Sequence, residues 1–140
     1  MFDSFSTRAK TVLVTGATTG IGAAVAQVLA EAGHRVWGTG RSVERATPTP
    51  GVHGFVKLDV TAPKSIAEAV ASITEAGHGL DAVVNNAGIG MMGAMGDTTE
   101  EEMLSVYQTN VIGLHTVSRM TIPHLCLLYT SPSPRDATLS

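Results

Sequence analysis

Thr15-Gly16-Ala17-Thr18-Thr19-Gly20-Ile21-Gly22 is the stretch on which the reading of this chain turns. Just before it, Thr11-Val12-Leu13-Val14 is a run of β-branched and aliphatic residues, which predicts a strand buried in a parallel sheet. Just after it, Ala23 to Ala32 predicts a helix with Ile21, Val25, Val28, Leu29 and Ala32 on its apolar face. Gly33 stands where a left-handed cap is needed. A strand, a glycine-rich turn and a helix in that order make a phosphate cradle. Glycines let the backbone turn sharply and approach a pyrophosphate, and the helix N-terminus offers free N–H groups with a partial positive charge. Thr18, Thr19, Gly20, Ile21 and Gly22, with Gly16, are the candidate cradle residues. Their spacing matches neither G-x-G-x-x-G nor a P-loop.

Working outward, the composition bounds the possibilities. A chain of 140 residues is one domain at most, with room for a real core. At 44% apolar and 15% charged it reads as a soluble globular protein rather than a disordered one. A formal charge of −3, with no cluster of Lys or Arg, gives no sign of a nucleic-acid partner. Met1 to Phe5 lack a signal-peptide pattern, and no apolar run is long enough to span a bilayer. A cytoplasmic protein without a membrane partner is expected. The single cysteine, Cys126, excludes an internal disulfide, and the five histidines lack metal-ligand spacing, so no metal site is expected.

Val36-Trp37-Gly38-Thr39 predicts a second strand. In dinucleotide folds an acidic residue at its end bonds the adenosine ribose of NAD. Here Gly40 and Arg41 occupy those places. A carboxylate would repel a 2′-phosphate, whereas glycine leaves room for one and a guanidinium can grip it bidentately. NADP(H) is therefore the expected cofactor in preference to NAD(H). Arg41 as a plain solvated loop residue is the bland alternative.

Thr47-Pro48-Thr49-Pro50-Gly51 is a loop by its prolines, and Gly54 to Val60 predicts a third strand ending in Asp59-Val60-Thr61. Asp59 or Thr61 could cap the helix that follows. Pro63 and Gly77 frame that helix, whose apolar face is Ile66, Val70 and Ile73. Leu80 to Val84 predicts a fourth strand closed by Asn85-Asn86-Ala87-Gly88, and amides in such a place need partners. Ile89 to Asp97 then forms a loop at the carboxyl end of the strands, where α/β sheets bind ligands. Its Met91, Met92 and Met95 either wall a substrate pocket or tuck against the next helix. Thr99 and Glu102 fit a capping box, and the long helix beyond carries Met103, Val106, Asn110, Leu114 and Val117 on one stripe. By residue type alone, Asn110 reads as a satisfied buried amide or an edge position.

Thr-Gly-x-x-x-Gly-Ile-Gly at Thr15–Gly22, followed by Asn-Asn-Ala-Gly at Asn85–Gly88, resembles the short-chain dehydrogenase/reductase family. The resemblance implies an α/β, Rossmann-type, doubly wound parallel sheet in the order 3-2-1-4, cut after the fourth strand and its following helix. It implies hydride transfer between a nicotinamide dinucleotide and a small carbonyl or secondary alcohol, in a parent protein that forms homo-oligomers. It places Asp59 and Val60 at the adenine pocket and Asn85, Ala87 and Gly88 near the cofactor ribose. Asn110-Val111-Ile112-Gly113 resembles the segment with the catalytic asparagine, which holds a water in the proton relay. The family's tyrosine and lysine are not seen, since Val111 follows Tyr107 and Ser133 follows Tyr129 where Tyr-x-x-x-Lys requires lysine. This chain by itself is expected to be inactive. A non-catalytic NAD(P)-binding sensor module is the alternative from another class.

From Cys126 onward the pattern breaks. Cys126 to Asp136 resembles a translated sequencing-library adapter, so residues 1–125 are expected to be the nucleotide-binding domain and 126–140 a non-native tail. A genuine Ser/Pro-rich tail is the alternative.

Overall fold

The computed structural model describes residues 8–46 and 48–125. The expectation for residues 126–140 lies outside the described residues. Strand β1 (Thr11–Val14) leads through the glycine turn into helix α1 (Gly20–Glu31), and then into β2 (Arg35–Gly40). β3 (Gly54–Lys57), α2 (Pro63–Ile73) and β4 (Ala82–Val84) follow. α3 (Glu100–Tyr107) runs through a π-helical turn, Gln108–Gly113, into α4 (Leu114–Thr121). The four strands pair in the order β3-β2-β1-β4, and every pairing is parallel. This is the Rossmann-type α/β arrangement and strand order expected from the sequence.

Alternation along β1 divides the core between the two faces. Val12 and Val14 pack with Ala26 of α1 and Val36 of β2 on one face. Leu13 points the other way, onto Ile73 and Leu80. On that second face Ile66, Ala69 and Val70 of α2 meet Leu58, Val60 and Val117 of α4. Helices thus cover both faces, as a parallel sheet requires. Leu125 forms a single parallel bridge to Leu80 beyond β4.

Three sequence expectations need correction. Ile21 and Val28 are 77% and 64% exposed, and α1 instead buries Gly22 and Ala26. Small residues let α1 lie close to the sheet, so its buried stripe is displaced by one residue from the bulky one. The third strand ends at Lys57 rather than Val60, although Leu58 N–H still reaches the Gly40 carbonyl at 2.9 Å. On the long helix Val117 is buried, but Met103 and Leu114 are 50% and 42% exposed. Gly113 is the residue that faces inward there, because a Cβ on it would lie 2.9 Å from Val60 Cγ2. The helix approaches the sheet on a glycine and turns Leu114 outward.

The C-terminal ends of α1 and α2 and the start of α3 follow their sequence signals. Gly33 takes φ +91° and ends α1, while Gly77 takes φ +89° in the π-helical turn after α2. Thr99 and Glu102 form a complete capping box, with Thr99 Oγ1 accepting from Glu102 N at 3.2 Å and Glu102 Oε2 accepting from Thr99 N at 2.9 Å.

Candidate functional site

The carboxyl ends of the strands open into a cleft of about 550 Å³. Its floor is made where the turn after β1 meets the turn after β4. Gly16 and Gly20 have φ of +64° and +60°, in the left-handed region that favours glycine. A Cβ on Gly16 would come within 2.9 Å of Ala87 Cα, and one on Gly22 would run into the Gly16 carbonyl and the Asn86 amide. Two side chains fasten the turns together. The buried Thr15 hydroxyl accepts from the N–H groups of Asn86 and Ala87, both at 3.0 Å. Asn86 Nδ2 in turn donates to the Gly16 carbonyl at 3.1 Å. The Ala17 N–H reaches the Thr39 carbonyl at 2.8 Å and ties the cradle to β2 as well. Sequence reasoning weighed the glycines and the need of the Asn86 amide for a partner, but it named neither that partner nor the role of Thr15. Polar side chains at the ends of two buried strands were the available signal, since each must find a partner.

Gly40, Arg41, Asp59, Val60 and Thr61 line the side of the cleft formed by the ends of β2 and β3. Gly40 has a steric reason that the sequence did not show, because a Cβ there would sit 2.5 Å from Thr18 Cγ2. Arg41 is exposed and borders the cleft. Asp59 Oδ1 accepts from Thr61 Oγ1 at 2.6 Å and from Thr61 N at 2.9 Å. Neither Asp59 nor Thr61 caps α2; Ala62 holds the cap position, and the Asp59 N–H donates to Ser65 Oγ at 3.0 Å.

The Thr61 hydroxyl, then the Thr61 N–H, lower the Asp59 carboxyl below its ordinary value; burial opposes them, and the charges of Arg41 and Lys57 add a lesser lowering. A depressed folded-state pKa contributes stability that is present above the unfolded value, near pH 4, and lost as pH falls through the folded value. Melting temperatures of the chain and of Asp59→Asn, taken from pH 7 down to pH 2.5, should therefore differ most at neutral pH and converge below about pH 4. A gap that widens toward acid would contradict this assignment.

Asn110 lies within the π-helical turn and grips one residue with both ends of its amide. Oδ1 accepts from Ile89 N and Nδ2 donates to Ile89 O, each at 2.8 Å. The reading by residue type, a satisfied amide, describes its side chain. Ile89 lines the cleft, so Asn110 fixes the start of the loop after β4 from behind. Gly88 lies beside it, where a Cβ would be 3.2 Å from Asn110 Oδ1. Asn85 turns away, and its Nδ2 reaches Ser118 Oγ on α4 at 3.1 Å.

Of the residues singled out from sequence, Gly16, Thr18, Thr19, Ile21, Arg41, Asp59, Val60, Ala87 and Gly88 line this one cleft. Gly20 and Gly22 shape its turn from behind. Ser105 and Thr109 also line it and were missed. Their four-residue spacing puts two hydroxyls on one side of the helix, which was the signal. Met92 and Met95 of the following loop are largely exposed. Among the described residues no group of His, Cys, Asp and Glu could hold a metal ion, and no helix is long and apolar enough to cross a membrane.

The sequence pattern of one family, described as short chain dehydrogenase, matches residues 10–131 of this chain. The chain belongs to the short-chain dehydrogenase family. The resemblance drawn from Thr15–Gly22 and Asn85–Gly88 is thereby borne out. Among curated relatives, 3-ketodihydrosphingosine reductase of Bacteroides thetaiotaomicron is 35% identical over 114 residues, covering 81% of this chain and 41% of the relative. Among solved structures, NADPH-bound carbonyl reductase from chicken fatty liver superposes with a TM-score of 0.74 at 35% identity, covering 84% of this chain and 48% of that one. An actinorhodin polyketide ketoreductase with NADPH gives 0.76 at 32% identity, covering 84% and 48%. This short-chain dehydrogenase chain spans about half the length of the curated relatives it matches, or somewhat less.

Proposed function

We propose that this chain is the nucleotide-binding part of an NADP(H)-preferring oxidoreductase that passes hydride between the nicotinamide and a small carbonyl or secondary alcohol. The observation that carries the preference is Gly40 followed by Arg41 on the wall of the cleft, where NAD-selective sites need a carboxylate. The cradle fits a dinucleotide: side chains are excluded at Gly16 and Gly22, and the α1 N-terminus opens directly behind the turn. NADPH in the two solved relatives supports the same reading.

The pyrophosphate would lie on the Gly16–Gly22 turn, and the 2′-phosphate against Arg41. Asp59 would accept from the adenine amino group, with the Val60 N–H donating to the ring. Ala87 and Gly88 would border the ribose, while Asn85, which turns away from the cleft, would brace the end of β4 on Ser118 of α4. Bound NADPH supplies the hydride. Asn110 uses one donor and one acceptor on Ile89, which leaves an amide proton and a lone pair for a water of the proton relay. The exposed Met91, Met92 and Met95 would give a pliable apolar wall to the substrate. A cytoplasmic homo-oligomer is the proposed form of the parent, and exposed Leu104, Tyr107 and Val111 on the long helix support association.

The test compares NADPH and NADH binding by the chain and by Arg41→Ala. Loss of one charge-assisted bidentate contact should cost about 1–3 kcal/mol for NADPH alone, which narrows the preference by roughly 5- to 150-fold. Equal affinities that ignore the substitution would overturn the assignment.

A further inference from the structure

A second cavity, of about 450 Å³, lies at the opposite, amino-terminal end of the sheet. Its size falls among small-molecule sites, which run from roughly 300 to 1,000 Å³. Arg8, His34, Arg35, His53, His78 and Asp81 all line it. The one carboxylate among the described lining residues, Asp81, is already engaged. Asp81 Oδ2 accepts from Thr11 N at 2.8 Å, and Oδ1 pairs with the Arg8 guanidinium at 3.1 Å. Arg8 and Asp81 therefore offset each other, and the half-buried Arg35 has no ion-pair partner among the described residues.

The histidines settle what kind of ligand suits the space. His34 Nδ1 accepts the Lys10 N–H at 3.2 Å. A neutral imidazole that accepts at Nδ1 carries its proton on Nε2, so His34 has a donor left and no free lone pair for a metal. His53 stands edge-on to Trp37, with ring centroids 4.7 Å apart and planes at 75°. Its backbone N–H donates to the Val36 carbonyl at 2.8 Å, which holds the residue at the rim. A guanidinium with no ion-pair partner among the described residues, beside imidazoles that can donate N–H, is an anion-binding set.

We propose that this cavity binds a small phosphate-type oxyanion, with Arg35 as its charged clamp and His34 and His53 as further donors. The occupant is free phosphate or the terminal group of a small phosphate ester. It is separate from the nucleotide cleft, since the two cavities lie at opposite ends of the sheet and share no lining residue among the described residues.

The chain would be titrated with inorganic phosphate and with glycerol phosphate, against chloride at matched ionic strength. Melting temperature and the histidine ring resonances are the readouts. Both phosphates should raise the melting temperature and shift the His34 and His53 signals. Arg35→Gln should weaken the affinity roughly tenfold, while Arg41→Ala leaves it unchanged. A stronger effect of the ester identifies an ester site, and equal effects identify free phosphate. His53→Gln, at an exposed ring, gives the same reading should Arg35→Gln fail to fold. An effect matched by chloride, or one lost in Arg41→Ala and kept in Arg35→Gln and His53→Gln, would overturn the proposal. Arg41→Ala also keeps this test apart from that of the nucleotide site, whose failure would leave the phosphate result standing.

Discussion

Gly22→Val is expected to be the most damaging single substitution in the cradle. Even the first added carbon runs into the Gly16 carbonyl and the Asn86 amide, and valine adds two branches to it. Relief would require the turn after β1 to move off the turn after β4. That movement breaks the bond from Asn86 Nδ2 to Gly16 O and strains both bonds to the Thr15 hydroxyl. Overpacking alone costs about 1–3 kcal/mol, and each buried group left unpaired adds about 1–3 more. For a small domain that is a large share of the total stability, about 5–15 kcal/mol. Gly20→Ala is the matched control. A Cβ there meets nothing within 4 Å, and only its φ of +60° opposes the change, at about 1–2 kcal/mol. Urea unfolding of both variants measures the difference. A Gly22→Val chain as stable as Gly20→Ala would show that the two turns are not pressed together.

The second large effect is an absence of turnover. Reduction of a carbonyl needs a proton delivered to the oxygen, and a positioned general acid contributes typically 10²- to 10⁴-fold. Of the family's catalytic set the resemblance assigns Asn110 alone to this chain, and an amide cannot shuttle a proton. Tyr107 and Tyr129 lack the lysine of Tyr-x-x-x-Lys, with Val111 and Ser133 in its place. NADPH oxidation by this chain, followed with a panel of ketones and aldehydes, should stay at the level of a Gly20→Asp control. Turnover well above that control would mean that the proton donor has been misplaced.

The fold was legible because buried parallel strands read as short apolar runs and glycines mark the turns that need positive φ. The errors about which helix face turns inward share one cause. Ile21, Val28 and Leu114 are large and apolar, so periodicity assigned them inward, yet the closest contacts are made by Gly22, Ala26 and Gly113. Close packing of a helix on a sheet rewards small residues, and a hydrophobicity pattern cannot distinguish that from a loose fit on bulky ones. The cleft was legible where local chemistry sufficed, as at Gly16 and Arg41, whereas the place of Asp59 on its wall came from the resemblance. It was illegible where a partner arrives from far along the chain. Thr15 finds Asn86 across 71 positions, and nothing local announces the match. Asn110 was flagged as a polar residue on an apolar face, but its grip on Ile89 needed the fold to be seen.

The central claim is that the cleft at the carboxyl ends of the strands takes the adenosine end of NADP(H), with Arg41 on the 2′-phosphate. Calorimetric titration of this chain with 2′,5′-ADP and with 5′-AMP isolates that one group, because the two ligands differ by the 2′-phosphate alone. The account predicts that 2′,5′-ADP binds more tightly by about 1–3 kcal/mol, and that Arg41→Ala removes most of the difference. Equal affinities for the two ligands, or a difference that survives Arg41→Ala, would contradict it.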